Sequence, residues 1–167
     1  MRFPDKLDVL TVHARLISET GGTRGIRDEG LLESALAATE NRRQYEAADV
    51  VRCAATYAYH LTQAHAFIDG NKRVAAAITE TFLETNGARL LMTNGEIVQL
   101  FLEIASSALS RDQVEQILRE RVSSLSCRLR SHEDERSPEE RNVYIHSTLP
   151  LSLTENLALF HRGSTPI

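Results

Sequence analysis

Apolar side chains at Leu7, Leu10, Ala14 and Ile17 recur at three- and four-residue intervals, which predicts a helix over Asp5 to Thr20 that stops at Gly21-Gly22. No period runs through Thr23 to Arg27. Asp28 can then cap a second helix carrying Leu31, Leu32, Ala35 and Leu36. The polar run Thr39 to Glu46 breaks this pattern and reads as an exposed connection. From Asp49 to Ala64 alanines and large apolar groups dominate, as in a mostly buried helix that ends against His65. Asn71 to Thr85 offers Ala75 to Ile78, Phe82 and Leu83 for packing, and Asn86-Gly87 is a suitable stop. Ala88 to Met92 reads as extended. Thr93-Asn94-Gly95-Glu96 is a capping box before Ile97, Leu100, Phe101 and Ile104; Ser110-Arg111-Asp112-Gln113 repeats the signal before Val114, Ile117, Leu118 and Val122.

Six helices over residues 1–125 predict an all-α domain. Residues 126–167 differ in character: Arg128 to Arg141 is dense in charges of both signs, Ser137-Pro138 interrupts it, and Pro150 follows. This stretch reads as a loosely attached polar tail with room for a short helix at Pro138 to Val143. No internal repeat is present.

The bulk properties narrow the class. A chain of 167 residues suits one domain, and its 42% hydrophobic and 25% charged residues allow an ordinary soluble core. A net charge of -4 argues against general nucleic-acid binding, which needs a clustered cationic excess. Cys53 and Cys127 have no metal-binding spacing and fit a reducing, cytoplasmic setting. The N-terminus lacks the order of a signal peptide, and no apolar run approaches the length of a membrane span.

Chemistry concentrates in His65-Ala66-Phe67-Ile68-Asp69-Gly70-Asn71-Lys72-Arg73, between two predicted helices. Gly70 permits a tight turn, and a helix starting at Asn71 directs unpaired N–H groups and a positive dipole end at any anion there. Lys72 and Arg73 add cationic donors, and the planar arginine fork matches phosphate oxygens. Asp69 is an oxygen ligand of the type Mg²⁺ takes together with phosphate and water. An imidazole at His65 can take a proton from a hydroxyl near neutral pH. Phe67 is the apolar member and should point inward to anchor the loop. A lone histidine at a helix end is usually structural; the surrounding constellation favours chemistry, because a cap needs neither the imidazole nor two successive cations.

The pattern His65-x-Phe67-x-Asp69-x-Asn71-Lys72-Arg73 resembles the signature of the Fic/Doc family. Lys72 stands where adenylyl-transferring relatives commonly have Gly, as in the death-on-curing (Doc) toxin branch. The likeness runs from about Phe3 to Leu125 and includes Gly30-Leu31-Leu32-Glu33-Ser34-Ala35-Leu36. It implies a helical bundle with a short extended flap, and ATP and Mg²⁺ at the motif. By position, His65 would activate the target hydroxyl, Asp69 would hold Mg²⁺, Gly70 would shape the anion hole, and Asn71, Lys72 and Arg73 would bind phosphates. The connection Thr39 to Tyr45 would be the flap, with Arg42, Arg43, Gln44 and Tyr45 available to dock the target. Members resembling Doc phosphorylate elongation factor Tu on a threonine and are neutralised by a cognate antitoxin whose disordered tail folds into a groove on the toxin.

Two positions depart from the Doc pattern: Gln63 stands where Doc has arginine, and Ala77 occupies a polar position of the following helix. Both bear on nucleotide orientation, which decides whether the terminal phosphoryl or the nucleotidyl group faces the acceptor. Lys72 favours phosphoryl transfer; AMP transfer is the alternative, and a catalytically silent protein-binding module is the third reading. Away from the motif, His60 is expected to pack, Tyr57 and Tyr59 to line the core or a groove, and His13 either to pack or to support the motif from behind.

Overall fold

A computed structural model of the protein describes residues 1–124, and the predicted tail lies outside them. The chain forms α1 (Lys6–Thr20), α2 (Glu29–Glu46), α3 (Val50–Ala64), α4 (Asn71–Thr85), β1 (Ala88–Leu90), α5 (Asn94–Ala105), α6 (Arg111–Arg121) and β2 (Val122–Ser124). Over the described residues the class is all-α with six helices, as predicted, beside one short two-stranded pairing. Five helices begin on a side chain that accepts an N–H of the first turn: Asp5, Asp28, Asp49, Thr93 and Ser110. At Asp5, Thr93 and Ser110 the bond is reciprocated from Asp8, Glu96 and Gln113, completing capping boxes. The start of α4 is different: its cap is Gly70, which has no side chain to offer.

α3 is the central element and packs against α2, α4, α5 and α6. Its Cys53, Ala54, Ala55, Tyr57 and Ala58 are fully buried, and the small alanines let neighbouring backbones approach closely. Ala75, Ala76 and Ala77 of α4 continue this thin-walled contact, closed off by Phe82 and Leu83. α2 and α3 form an antiparallel hairpin that turns at Ala47 to Asp49, with Ala47 left-handed. β1 and β2 pair antiparallel, Ala88 opposite Ser124 and Leu90 opposite Val122, which joins the end of α4 to the end of α6. Among the described residues no helix is long and apolar enough to cross a membrane.

Three expectations change. In α1 the predicted stripe is right in part: Ile17 is in the core and Leu10 packs against it, but Leu7 is 62% exposed and Ala14 is exposed, and Val9, Val12 and Leu16 are buried instead. Val122 belongs to β2 rather than to the sixth helix. Lastly, Thr39 to Glu46 is no extended connection, because α2 runs unbroken through it. Thr39 is fully buried, and Arg42, 7% exposed, donates to Thr56 Oγ1 at 3.1 Å and pairs with Glu46 at 2.9 Å and Glu115 at 3.5 Å. Thr39 and Arg42 face inward while the other residues of the stretch are exposed, so its polarity marked an exposed helix face and not a loop.

Candidate active site

α3 ends where His65 turns left-handed (φ 47°, ψ 37°), leaving its side chain exposed at the mouth of the loop. Ala66 and Phe67, each 2% exposed, dive inward, and Ile68 points out again. Gly70 (φ 83°) then reverses the chain into α4. The Asn71 side chain holds this loop shut: its Oδ1 accepts from the Phe67 N–H at 2.9 Å and its Nδ2 donates to the Phe67 carbonyl at 2.8 Å. One amide satisfies both polar groups of a buried residue, which would otherwise carry a desolvation cost.

The segment between α1 and α2 clamps the loop from outside. Ile26 and Phe67 form an antiparallel bridge; Ile68 N–H donates to Gly25 O at 3.1 Å, and Ala66 O accepts from Arg27 N–H at 2.7 Å and Asp28 N–H at 3.1 Å. The extended piece of chain beside the motif is therefore this one. From the inside, His13 of α1 stacks on Phe67 with ring centroids 4.1 Å apart and an interplanar angle of 11°, and its Nε2 lies 3.0 Å from the Asp69 carbonyl. A carbonyl only accepts, so Nε2 carries the proton. Burial chiefly, with the Arg73 and Arg24 charges, lowers the His13 pKa despite the opposing pull of Asp69, so the ring is neutral.

The Asp69 carboxylate is 43% exposed. Burial opposes its ionisation, but Gly70 N–H at 2.6 Å, the Arg73 guanidinium at 3.2 Å and Thr23 N–H at 3.3 Å outweigh it and hold its pKa below the ordinary value. Arg73, 5% exposed, also donates to Thr20 Oγ1 and, at 2.8 Å, to the Gly21 carbonyl. Gly22 (φ 124°) lets this close packing exist, because a Cβ there would stand 2.2 Å from Asp69 Oδ2 and 3.0 Å from Arg73 Nη2. The first intrahelical bond of α4 runs from Val74 N–H to Gly70 O at 2.9 Å, so the N–H groups of Asn71, Lys72 and Arg73 precede the ladder. An ionised carboxylate thus sits next to a helix start with no side-chain cap, which fits Mg²⁺ together with a phosphate. Among the described residues no three His, Cys, Asp or Glu side chains converge, so an ion at Asp69 would fill its shell with phosphate oxygens and water.

The structure brings His65, Phe67, Asp69, Gly70, Asn71, Lys72 and Arg73 into one loop and helix start, with Phe67 as the inward anchor. The four expected docking residues are not there. α2 begins against the motif loop through Asp28, and at 1.5 Å per residue Gln44 lies roughly 24 Å along the axis, at the opposite end of the hairpin. Arg42 is buried in its ion pairs, Arg43 donates to the Ala48 carbonyl at 3.0 Å, and Gln44 and Tyr45 are exposed at that far end. Gln63 turns away as well: its Nε2 donates to Ile104 O at 2.5 Å and Ser107 Oγ at 3.2 Å, joining α3 to the end of α5. Sequence reasoning read Gly21-Gly22 only as a helix stop and missed the Thr20 to Arg27 wrap. Three glycines within five residues were the available sign of close backbone approach.

A bundle of six helices whose α3–α4 junction carries this His-to-Arg loop defines a protein of the Fic/Doc class, and the model of the Fic/DOC family matches residues 3–83. The chain belongs to the Fic/Doc family, on its Doc branch. It is 30% identical over 120 residues to the protein kinase doc of Escherichia phage P1, covering 71% of this chain and 94% of that protein. It is also 38% identical over 89 residues to the toxin Doc of Mycolicibacterium smegmatis, covering 52% of this chain and 65% of that one.

Proposed function

We propose that this protein is a Doc-like toxin that transfers the terminal phosphoryl group of ATP to a Ser or Thr hydroxyl of a target protein, with elongation factor Tu as the expected target and translation as the process inhibited. A cognate antitoxin would neutralise it. The observation that carries this reading is the junction itself: an exposed imidazole one short loop away from an uncapped helix start, with an ionised carboxylate between them. His65 takes the proton of the acceptor hydroxyl as its oxygen bonds to the γ-phosphorus; the bond to the β–γ bridging oxygen breaks, and ADP leaves. Asn71, Lys72 and Arg73 offer backbone N–H groups to the phosphates, and Lys72 and Arg73 add charge. Mg²⁺, held by Asp69, would neutralise phosphate charge. Arg73 has a double duty, since its present partner is Asp69. Phe67 and Asn71 keep the loop in shape, so that catalysis is chiefly positioning.

Transfer of AMP is the second reading, and Gln63 is the observation that favours it. With its amide committed to Ile104 and Ser107, this position adds no cation to the cradle where Doc has arginine. Intact-mass analysis of a cytosolic extract treated with the protein and ATP separates the two, because phosphate and AMP adducts differ in mass and the recipient is identified at once. His65→Ala should abolish the adduct and the toxicity while the fold persists. An unchanged rate of modification by His65→Ala would remove the basis of either reading.

A further inference from the structure

We propose that His13 is a positioning residue for this site, setting the orientation of the peptide group between Asp69 and Gly70. The argument begins with Gly70. A peptide unit followed by a glycine at positive φ can rotate with little steric resistance, because no Cβ opposes the flipped arrangement. Yet this peptide cannot be left free. Its N–H, on Gly70, donates to Asp69 Oδ1 at 2.6 Å and thereby aims the carboxylate, and its plane leads directly into the start of α4.

The peptide is planar, so whatever holds its carbonyl also fixes its N–H. That holder is His13 Nε2–H, at 3.0 Å from Asp69 O. The imidazole is itself fixed by its stack on Phe67 and by burial to 5% exposure. Phe67 in turn is tied at both backbone groups by Asn71. A chain of contacts therefore runs from the core face of α1 through one imidazole to the carboxylate and the anion-facing helix start. A side chain serving only to fill space would need the ring and not the donor.

The kinetic consequence rests on the transfer activity proposed above; the geometric one does not. His13→Phe retains a stacking ring and removes the donor, whereas His13→Gln retains a donor and removes the stack. In His13→Phe the kcat for transfer should fall about tenfold or more, as small misplacements of reacting groups do. KM for the acceptor protein should stay within about twofold, because the docking surface is untouched. His13→Gln should recover most of the rate. In the same variants the Gly70 amide resonance should shift or broaden in His13→Phe and return toward its native position in His13→Gln, while amides at Ala47 to Asp49 stay put.

Wild-type kcat and an unmoved Gly70 amide in His13→Phe would overturn the proposal. If the wild-type protein transfers nothing to any protein, the transfer reading fails and the Gly70 amide alone decides for or against His13. Should His13→Phe not fold, the imidazole nitrogen spectrum of the wild-type protein decides: a proton on Nε2 is required, and an unprotonated Nε2 refutes the assignment.

Discussion

Two residues hold energy that the fold does not need. His65 sits in the left-handed region, which for a residue with a Cβ costs on the order of 1 kcal/mol that glycine avoids. Its side chain is exposed, so removing it gives up little packing. His65→Gly should therefore be more stable than His65→Ala by about 1 kcal/mol in urea unfolding, with transfer lost in both. Equal midpoints would mean that the backbone at this position is unstrained. Glu80 is the second case. It is 8% exposed on α4, has no cation within ion-pairing distance among the described residues, and burial together with Glu84 pushes its pKa from about 4.5 up to about 7. The folded state then binds more protons than the unfolded one between these values. The stability that this one group contributes is fullest below about pH 4.5 and is lost as pH rises through 7, by at most about 3 kcal/mol. Glu80→Gln should flatten this slope and unfold at higher urea than wild type at pH 8. Parallel curves for the two proteins from pH 5 to 8 would refute it.

At the level of elements, the caps explain both what was legible and what was not. Asp28, Thr93 and Ser110 announced their helices because a cap is a local bond, three residues long, that any chain segment can make by itself. The candidate site was legible for a related reason: His65 to Arg73 is contiguous, so its chemistry is spelled out in order. What remained hidden depends on contacts between distant segments. β2 has three residues, too few for an alternating pattern, and exists only because β1 lies beside it. The Gly22 contact with the motif spans about fifty residues, and the equally distant His13 contact was one of two readings the sequence left open. The second half of α2 looked like a loop because Arg42 is buried against acids on other elements. Glu115 of α6 is the hub there, taking Arg52 at 3.0 Å, Arg119 at 2.8 Å and Arg42 at 3.5 Å while only 7% exposed. Glu115→Ala should lower stability by about 2 kcal/mol, because Arg42 stays buried with less of its charge matched. Arg43, exposed and bonded to one carbonyl, should cost well under half as much on truncation to Ala. If denaturation midpoints show the two variants alike, the hub is not what fastens α6 to the hairpin.

For the molecule as a whole, the α2–α3 hairpin separates two ends with different mechanical character. At the far end, Arg42, Arg52, Arg119, Glu46, Asp49 and Glu115 tie α2, α3 and α6 together across the turn. At the motif end, the wrap from Thr20 to Arg27 is held to the loop by backbone hydrogen bonds that each have an exposed residue as donor, and by the Asp69 and Arg73 side chains. Between them, α3 is in contact with four other helices and has no route to solvent short of losing the core. Opening free energies should be graded accordingly, since segments with few buried contacts open without global unfolding. In native-state hydrogen exchange, amides of Ala54 to Leu61 should exchange only with global unfolding and respond fully to denaturant. The Ile68 and Arg27 amides, which bridge wrap and loop, should exchange by a smaller opening that denaturant hardly affects. On the function proposed above, such a gradient would let a nucleotide reach the motif, and Arg73 trade Asp69 for a phosphate, while the hairpin that aims His65 stays intact. Protection at Ile68 and Arg27 equal to that of Ala58 would show that the wrap is part of the rigid core, and the nucleotide would then have to enter without moving it.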